Sequence, residues 1–231
     1  TVTGVQTCAL PISASGRTRI LIDAGLSARD TFARLAAIGE DPANIDAIIV
    51  THEHSDHWGH ALALCEQAGL PLWSSTGTRH SISETGADLS GLDWRVARDG
   101  CAIELGCLEL TPFTVPHDAV DPVGYTVSSQ GLKFGLAMDL GYLPESVKFH
   151  LRGCQLMVLE SNHDLDMLKV GPYPWSVKQR VMGRKGHLSN DVVGEFIVND
   201  LDSGAHTLIL GHLSDHNNHP EIGRAHVSPV T

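Results

Sequence analysis

"THEHSDH" (residues 51–57) packs His52, Glu53, His54, Asp56 and His57 into six consecutive positions. It directly follows "IDAIIV" (45–50), an apolar run that reads as a buried strand delivering the chain into a loop. In extended backbone, alternate side chains point the same way, so His52 and His54 can reach one ion together. Asp56 and His57 stand at the turn into a helix, where they can face a neighbouring ion. Crowding imidazoles and carboxylates without a cation is electrostatically unattractive, so the stretch predicts a metal-binding loop at a strand end. Imidazole and carboxylate suit zinc, manganese or iron, and the absence of thiolate disfavours a structural zinc. His60 falls on the helix and is left out of the ligand set.

Outward from this loop the pattern alternates. "TRILIDAG" (18–25) reads as a buried strand ending in a turn. Ser27 caps the next helix, with Asp30 at its third position and Gly39 ending it. "DHWGHALALCEQAG" (56–69) reads as one helix closed by Gly69, "LPLWSS" (70–75) as a short strand, and residues 77–85 as a weakly periodic helix. The middle is β-rich: "CLELTPFTVPH" (107–117), "VGYTVSS" (123–129) and "LKFGLAMDLG" (132–141), the last two joined as a hairpin through Gln130 and Gly131. A helix near 144–152 leads to the strand and loop of "QLMVLESNHD" (155–164). Helices near 175–183 and 190–201 follow, the second capped by Ser189, before a last strand, "HTLILGH" (206–212). Strand–helix alternation in both halves around an antiparallel middle predicts a layered α/β protein rather than a simple doubly wound sheet.

Polar residues end several of these strands abruptly. His117 follows "FTVP", Asp139 follows "GLAM" and His212 follows "LILG". Singly, each is a cap or a satisfied polar group. Together with the loop they make seven ligands, five histidines and two aspartates, enough for two divalent ions with room for water.

The ordered set "THEHSDH", His117, Asp139 and His212, with Asp23 in "LIDAG", resembles the metallo-β-lactamase-fold hydrolases over about residues 18–220. "LIDAGLSAR", "PFTVPHDAVDPVGY", "LESNHDLDML", "GPYPWSVKQR", "GHLSND" and "LGHLSDHNN" are similar to its YycJ-type (WalJ-type) branch, itself similar to ribonuclease Z. The resemblance implies a four-layer αββα sandwich with two metal ions, zinc or manganese, at one edge between the sheets. It implies His52, His54 and His117 on one ion, Asp56, His57 and His212 on the second, and Asp139 bridging. Asp23 would stand behind the ligands and orient them. Members of this branch are metal-dependent nucleases, including 5′-to-3′ exonucleases on duplex DNA. A nucleic-acid substrate, DNA above RNA, is therefore expected. Asp56 would also accept a proton from the attacking water. His187, in "GHLSND", occupies the interval in which ribonuclease Z carries a catalytic histidine; two readings stand there, a general acid and a plain loop histidine before the Ser189 cap. Glu160 and His163 are candidates for orienting His187 or contacting substrate phosphate. A thioester or lactone hydrolase on the same fold, and a catalytically silent binding module, remain as alternatives.

The totals set outer bounds. Sixteen Lys and Arg against 27 Asp and Glu give a net charge of −11, which weighs against nonspecific DNA binding through a basic surface. Two bound cations would reverse that charge locally, where a phosphate must sit. The basic-rich stretch from Lys169 to Lys185 reads as a phosphate-tracking segment or a solvated helix face. The five cysteines form no C-x-x-C pair and read as reduced thiols. With no long apolar span and no leader-like pattern, a cytoplasmic location and no membrane partner are expected.

The termini read differently from the rest. "EIGRAHV" (221–227) can be encoded by GAGATCGGAAGAGCACACGTC, whose reverse complement, from its second base, encodes Thr-Cys-Ala-Leu-Pro-Ile and begins a serine codon. "TCALPIS" stands at 7–13. Both ends resemble a translated sequencing adapter. The expectation is one hydrolase domain over 13–220, truncated at both ends, with non-native tails at 1–12 and 221–231.

Overall fold

A computed structural model describes residues 2–6 and 12–227. The chain opens with β1 (Val2–Gln6), β2 (Ile12–Ser15) and β3 (Thr18–Ile22). Helix α1 (Ala28–Ala37) follows, and Ser27 accepts the backbone N–H of Asp30 at its start. After β4 (Ala47–Ile49) come α2 (Ser55–Trp58), α3 (Ala61–Ala68), β5 (Leu72–Ser74), α4 (Thr76–Glu84) and β6 (Trp94–Val96). The middle holds β7 (Ile103–Leu105), β8 (Leu108–Thr114), β9 (Val123–Ser129) and β10 (Leu132–Ala137). The remainder is α5 (Glu145–Leu151), β11 (Leu156–Glu160), α6 (Leu165–Val170), α7 (Trp175–Val181), α8 (Asn190–Asn199), β12 (Thr207–Leu213) and α9 (Pro220–Val227).

Two sheets result. One runs β1-β12-β11-β10-β9-β8-β7, parallel from β1 to β10 and antiparallel beyond; the other runs β2-β3-β4-β5-β6. The two-residue periodicity of the strands sorts their side chains into three cores. Ile20 and Ile22 of β3, Ile49 of β4, Tyr125 of β9 and Leu136 of β10 fill the space between the sheets. Leu21 and Ile48 point the other way, onto Leu35 of α1 and Leu64 of α3. Met157 and Leu159 of β11 and Leu210 of β12 face Val147 of α5 and Val193 and Phe196 of α8. Three cores between four layers make the αββα sandwich, each fully buried Ile or Leu contributing about 1.5–3 kcal/mol.

The hairpin at Gln130 and Gly131 forms as expected, both residues having positive φ (51° and 80°), the twist a tight β-hairpin requires. One expected helix is broken. The segment from Asp56 to Gly69 divides into α2 and α3 because the chain turns at Gly59 and His60, where the His60 N–H donates to the carbonyl of Ala24 (3.0 Å). The strands β6 and β7 and helix α6 had no counterpart in the sequence reading.

Parts of both terminal segments enter the fold. Strand β1 pairs in parallel with β12, and α9 packs on α8. Residues 1, 7–11 and 228–231 lie outside the described residues, Cys8 among them. Cys65, Cys101, Cys107 and Cys154 are free thiols. No described helix is long and apolar enough to cross a membrane.

Candidate metal centre

The strand ends that carry the site meet at one rim of the sandwich. Asp23 follows β3, Thr51 and His52 follow β4, Asp139 follows β10, Glu160 closes β11 and His212 lies near the end of β12. Loops beyond the carboxyl ends of strands are where open α/β sheets place ligands. The Val123 N–H donates to the Thr51 carbonyl (3.1 Å), joining the two sheets directly beneath the loop.

Three residues of this rim hold left-handed backbone without being glycine: Asp23 (φ 60°), Asp139 (φ 54°) and His212 (φ 53°). Such a conformation costs roughly 1–2 kcal/mol per residue. It turns each side chain off the pleat of its strand and into the cluster.

The loop is braced from behind by Asp23. The Thr51 N–H donates to Asp23 Oδ1 (2.8 Å), and the Thr51 hydroxyl and His57 Nδ1 donate to Oδ2 (2.9 and 2.8 Å). His57 Nε2 is left facing Asp139 Oδ2 at 3.3 Å and Asp56 Oδ2 at 3.5 Å. Gly25 closes the bracket: a Cβ there would fall 1.7 Å from the Asp56 carbonyl oxygen, so only glycine lets the two loops approach.

Donor atoms converge in three groups, each within 4.8 Å: His52, His54 and His117; His52, His57 and Asp139; and Asp139, Glu160, His187 and His212. The rings of His52 and His57 are 4.0 Å apart and those of His187 and His212 5.0 Å, so the groups form one continuous cluster. Two buried atoms in it, His52 Nε2 and Asp139 Oδ2, have no hydrogen-bond partner. A buried imidazole nitrogen with no hydrogen-bond partner, beside a buried carboxylate oxygen that meets His57 Nε2 only at ion-pair distance, fits a divalent cation at the centre of a His/Asp cluster.

The sequence expectations fall into place unevenly. His52, His54, His57, His117, Asp139 and His212 all enter these groups, and Asp23 stands behind them. Asp56 is beside His57, but its side chain is about half exposed (53%) and joins none of the three groups among the described residues. His163 is 1% exposed, its Nδ1 has no hydrogen-bond partner, and its carbonyl accepts the Asn190 N–H (2.9 Å) at the start of α8. Glu160 and His187 are among the charged groups that act on the His163 ring.

Glu160 carries more than the sequence suggested. It is fully buried, and its Oε1 accepts from both His187 Nδ1 (2.7 Å) and His212 Nδ1 (2.8 Å). Its Oε2 accepts the N–H groups of Leu140 (2.9 Å) and Leu188 (3.2 Å), so the carboxylate is held on both sides. On the opposite flank Asp118, missed in the sequence, lies 3.3 Å from His117 Nε2 and accepts from Arg180 Nε at 2.6 Å. Only its adjacency to His117 in "PHDAVD" could have pointed to it.

Burial and neighbouring charge polarise the cluster. Burial beside the other imidazoles lowers His52 to about 2, and burial also lowers His117. Burial opposes protonation of His57 as well, but the carboxylates of Asp23 and Asp139 override it and raise the ring to about 9. Against the same burial cost, Asp139 and Glu160 raise His212 well above its ordinary value, and Glu160 raises His187. The centre thus pairs neutral imidazoles on the His52 and His117 side with proton-holding ones around Asp139 and Glu160.

The chain belongs to the beta-lactamase superfamily, whose domain model matches residues 18–212. It is a metal-dependent hydrolase of that superfamily with the metallo-β-lactamase fold. Within it, the chain is 32% identical to exodeoxyribonuclease YycJ of Bacillus anthracis, over 92% of this chain and 80% of that protein. It is equally 32% identical to exodeoxyribonuclease WalJ of Streptococcus pneumoniae serotype 2 (strain D39), over 94% and 80%. The backbone matches YhfI of Bacillus subtilis with a TM-score of 0.72 at 18% identity, covering 94% of this chain and 82% of that one.

Proposed function

We propose that the protein is a dinuclear metal-dependent phosphodiesterase acting on nucleic acid in the cytoplasm, a DNA exonuclease of 5′-to-3′ polarity. The observation that carries this reading is the His/Asp cluster with buried His52 Nε2 and Asp139 Oδ2, neither hydrogen-bonded, at its centre. The relatives named exodeoxyribonuclease supply the substrate class. His52, His54 and His117 would hold one ion and Asp56, His57 and His212 the other, with Asp139 between them. Zinc or manganese bound there would neutralise a phosphodiester and acidify a water molecule.

The protein's own groups supply the proton movements. Asp56, exposed at the mouth of the cluster, accepts the proton of the attacking water. His187, held by Glu160 with its ring at the cleft, donates a proton to the leaving oxygen. Asp23 fixes the His57 ring. Metal content and digestion of a 5′-labelled duplex, compared with His54→Ala, test the reading. Two ions per chain and metal-dependent loss of terminal nucleotides, both reduced in the variant, are expected; no digestion by a protein holding two ions would overturn the substrate class.

A further inference from the structure

A cavity of about 340 Å³ opens directly off the metal cluster, lined by Asn162, Tyr173, His187, His212, Ser214 and His216 among others. Its size is at the lower end for pockets that take small molecules. No lysine or arginine lines it, and Asp215 adds negative charge to its wall. Its His187 and His212 can meet a phosphate, and its Tyr173 and His216 rings a neutral heterocycle. The Tyr173 ring meets the His216 ring edge-on at 5.8 Å. Ser214 Oγ accepts from the backbone and side-chain nitrogens of Asn217, leaving its hydroxyl hydrogen to donate.

The aromatic wall is built rather than loose. The Gly171 N–H donates to the Met167 carbonyl (2.7 Å), and a Cβ on Gly171 would lie 2.4 Å from Asn217 Oδ1. The Asp164 N–H donates to the Asn217 carbonyl (2.8 Å), and Lys178 Nζ donates to the Lys169 carbonyl (2.7 Å). The turn carrying Tyr173 is thus clamped onto the turn after β12, which lowers the ordering cost of stacking a ligand there. On the opposite flank Arg180, exposed and paired to Asp118, joins His117 and His54 through that carboxylate.

We propose that this cavity receives the single 5′-terminal nucleotide of a nucleic-acid strand, its base stacked on Tyr173, so that one nucleotide is released per cleavage. The inference rests on the phosphodiesterase reading. His187 lines the cavity, so the terminal nucleotide seated there leaves through its 3′-oxygen. Water oxygen bonds to phosphorus, the bond from phosphorus to the 3′-oxygen breaks, and His187 gives its proton to that oxygen while Asp56 takes one from the water. The rest of the strand, now ending in a 5′-phosphate, lies toward Arg180.

The test uses the metal-loaded full chain and two oligonucleotides, one ending in a 5′-thymidine and one in a 5′-abasic spacer. Tyr173→Ala should raise KM for the thymidine end about tenfold or more. It should leave kcat and the abasic substrate nearly unchanged, and Tyr173→Phe should restore the wild-type value. Calorimetry with thymidine on the metal-free protein should show binding that Tyr173→Ala removes. Equal losses on both substrates, dinucleotide or longer first products, or indifference of the wild type to the terminal base would overturn the inference while leaving the phosphodiesterase standing. No digestion of either oligonucleotide would overturn both.

Discussion

Asp23 Oδ2 lies 2.8 Å from His57 Nδ1, and that one contact decides which face of the imidazole is turned to Asp139. Outer partners of this kind fix the ring and tune the basicity of the ligand nitrogen. Asp23→Ala is expected to weaken metal binding roughly 10- to 100-fold. It also strips the acceptor from the Thr51 N–H, a further cost of about 1–3 kcal/mol. Metal titration and thermal melting of the metal-free protein separate the two effects; unchanged affinity would remove Asp23 from the site.

Glu160 joins His187 to His212, and its charge keeps a proton on His187. A general acid works only while protonated, so activity falls as pH rises through its pKa. Glu160→Gln removes the carboxylate that raises His187, and the alkaline limb of the kcat profile is expected to move toward lower pH. His187→Ala should reduce kcat about 10²- to 10⁴-fold with metal retained. An unmoved alkaline limb in the Glu160 variant would sever the proposed link.

Metal binding itself should release protons unevenly. His57 holds its proton up to about pH 9 in the metal-free protein, whereas His52 is already neutral at any ordinary pH. A cation on His57 must displace that proton, and the raised His212 ring on the same ion must give up its own, so the apparent affinity should rise with pH through about 9. The ion on the His52 and His117 side should show the weaker pH dependence. Calorimetric titrations in buffers of different ionisation enthalpy count the protons directly; equal release at both ions would contradict the assignment.

Gly25 offers a purely steric test. With a Cβ placed 1.7 Å from the Asp56 carbonyl oxygen, Gly25→Ala must push the two loops apart. A cost of about 2–5 kcal/mol is expected, lowering Tm by roughly 5–15 °C. Metal content should fall with it, because Asp56 and His57 ride on the displaced segment.

Much of this was legible because the residues of the cluster sit where apolar strands stop. His117, Asp139 and His212 break their runs abruptly, and the strands that present them are long enough to show periodicity. The three-residue strands β6 and β7 are too short to carry a pattern, so they were invisible. The break between α2 and α3 depends on a bond from His60 to Ala24, a partner distant in sequence that no local propensity encodes. The same holds for Glu160: a buried carboxylate at the end of a strand looks like any other until two histidines from later segments arrive on one of its oxygens. Asp118 and Arg180 pair across 62 positions of sequence and left no local trace.

The left-handed backbone at Asp23, Asp139 and His212 has a consequence for anyone breeding this protein for endurance. Each residue is held in a conformation that glycine adopts without penalty, at a cost of about 1–2 kcal/mol apiece. A library selected only for survival of heating would drift toward glycine at Asp139 and His212, while the Thr51 N–H held by Asp23 opposes that change at the third position. Its winners would be hardy and inert, and a screen for this scaffold must therefore reward turnover in the same round as heat tolerance.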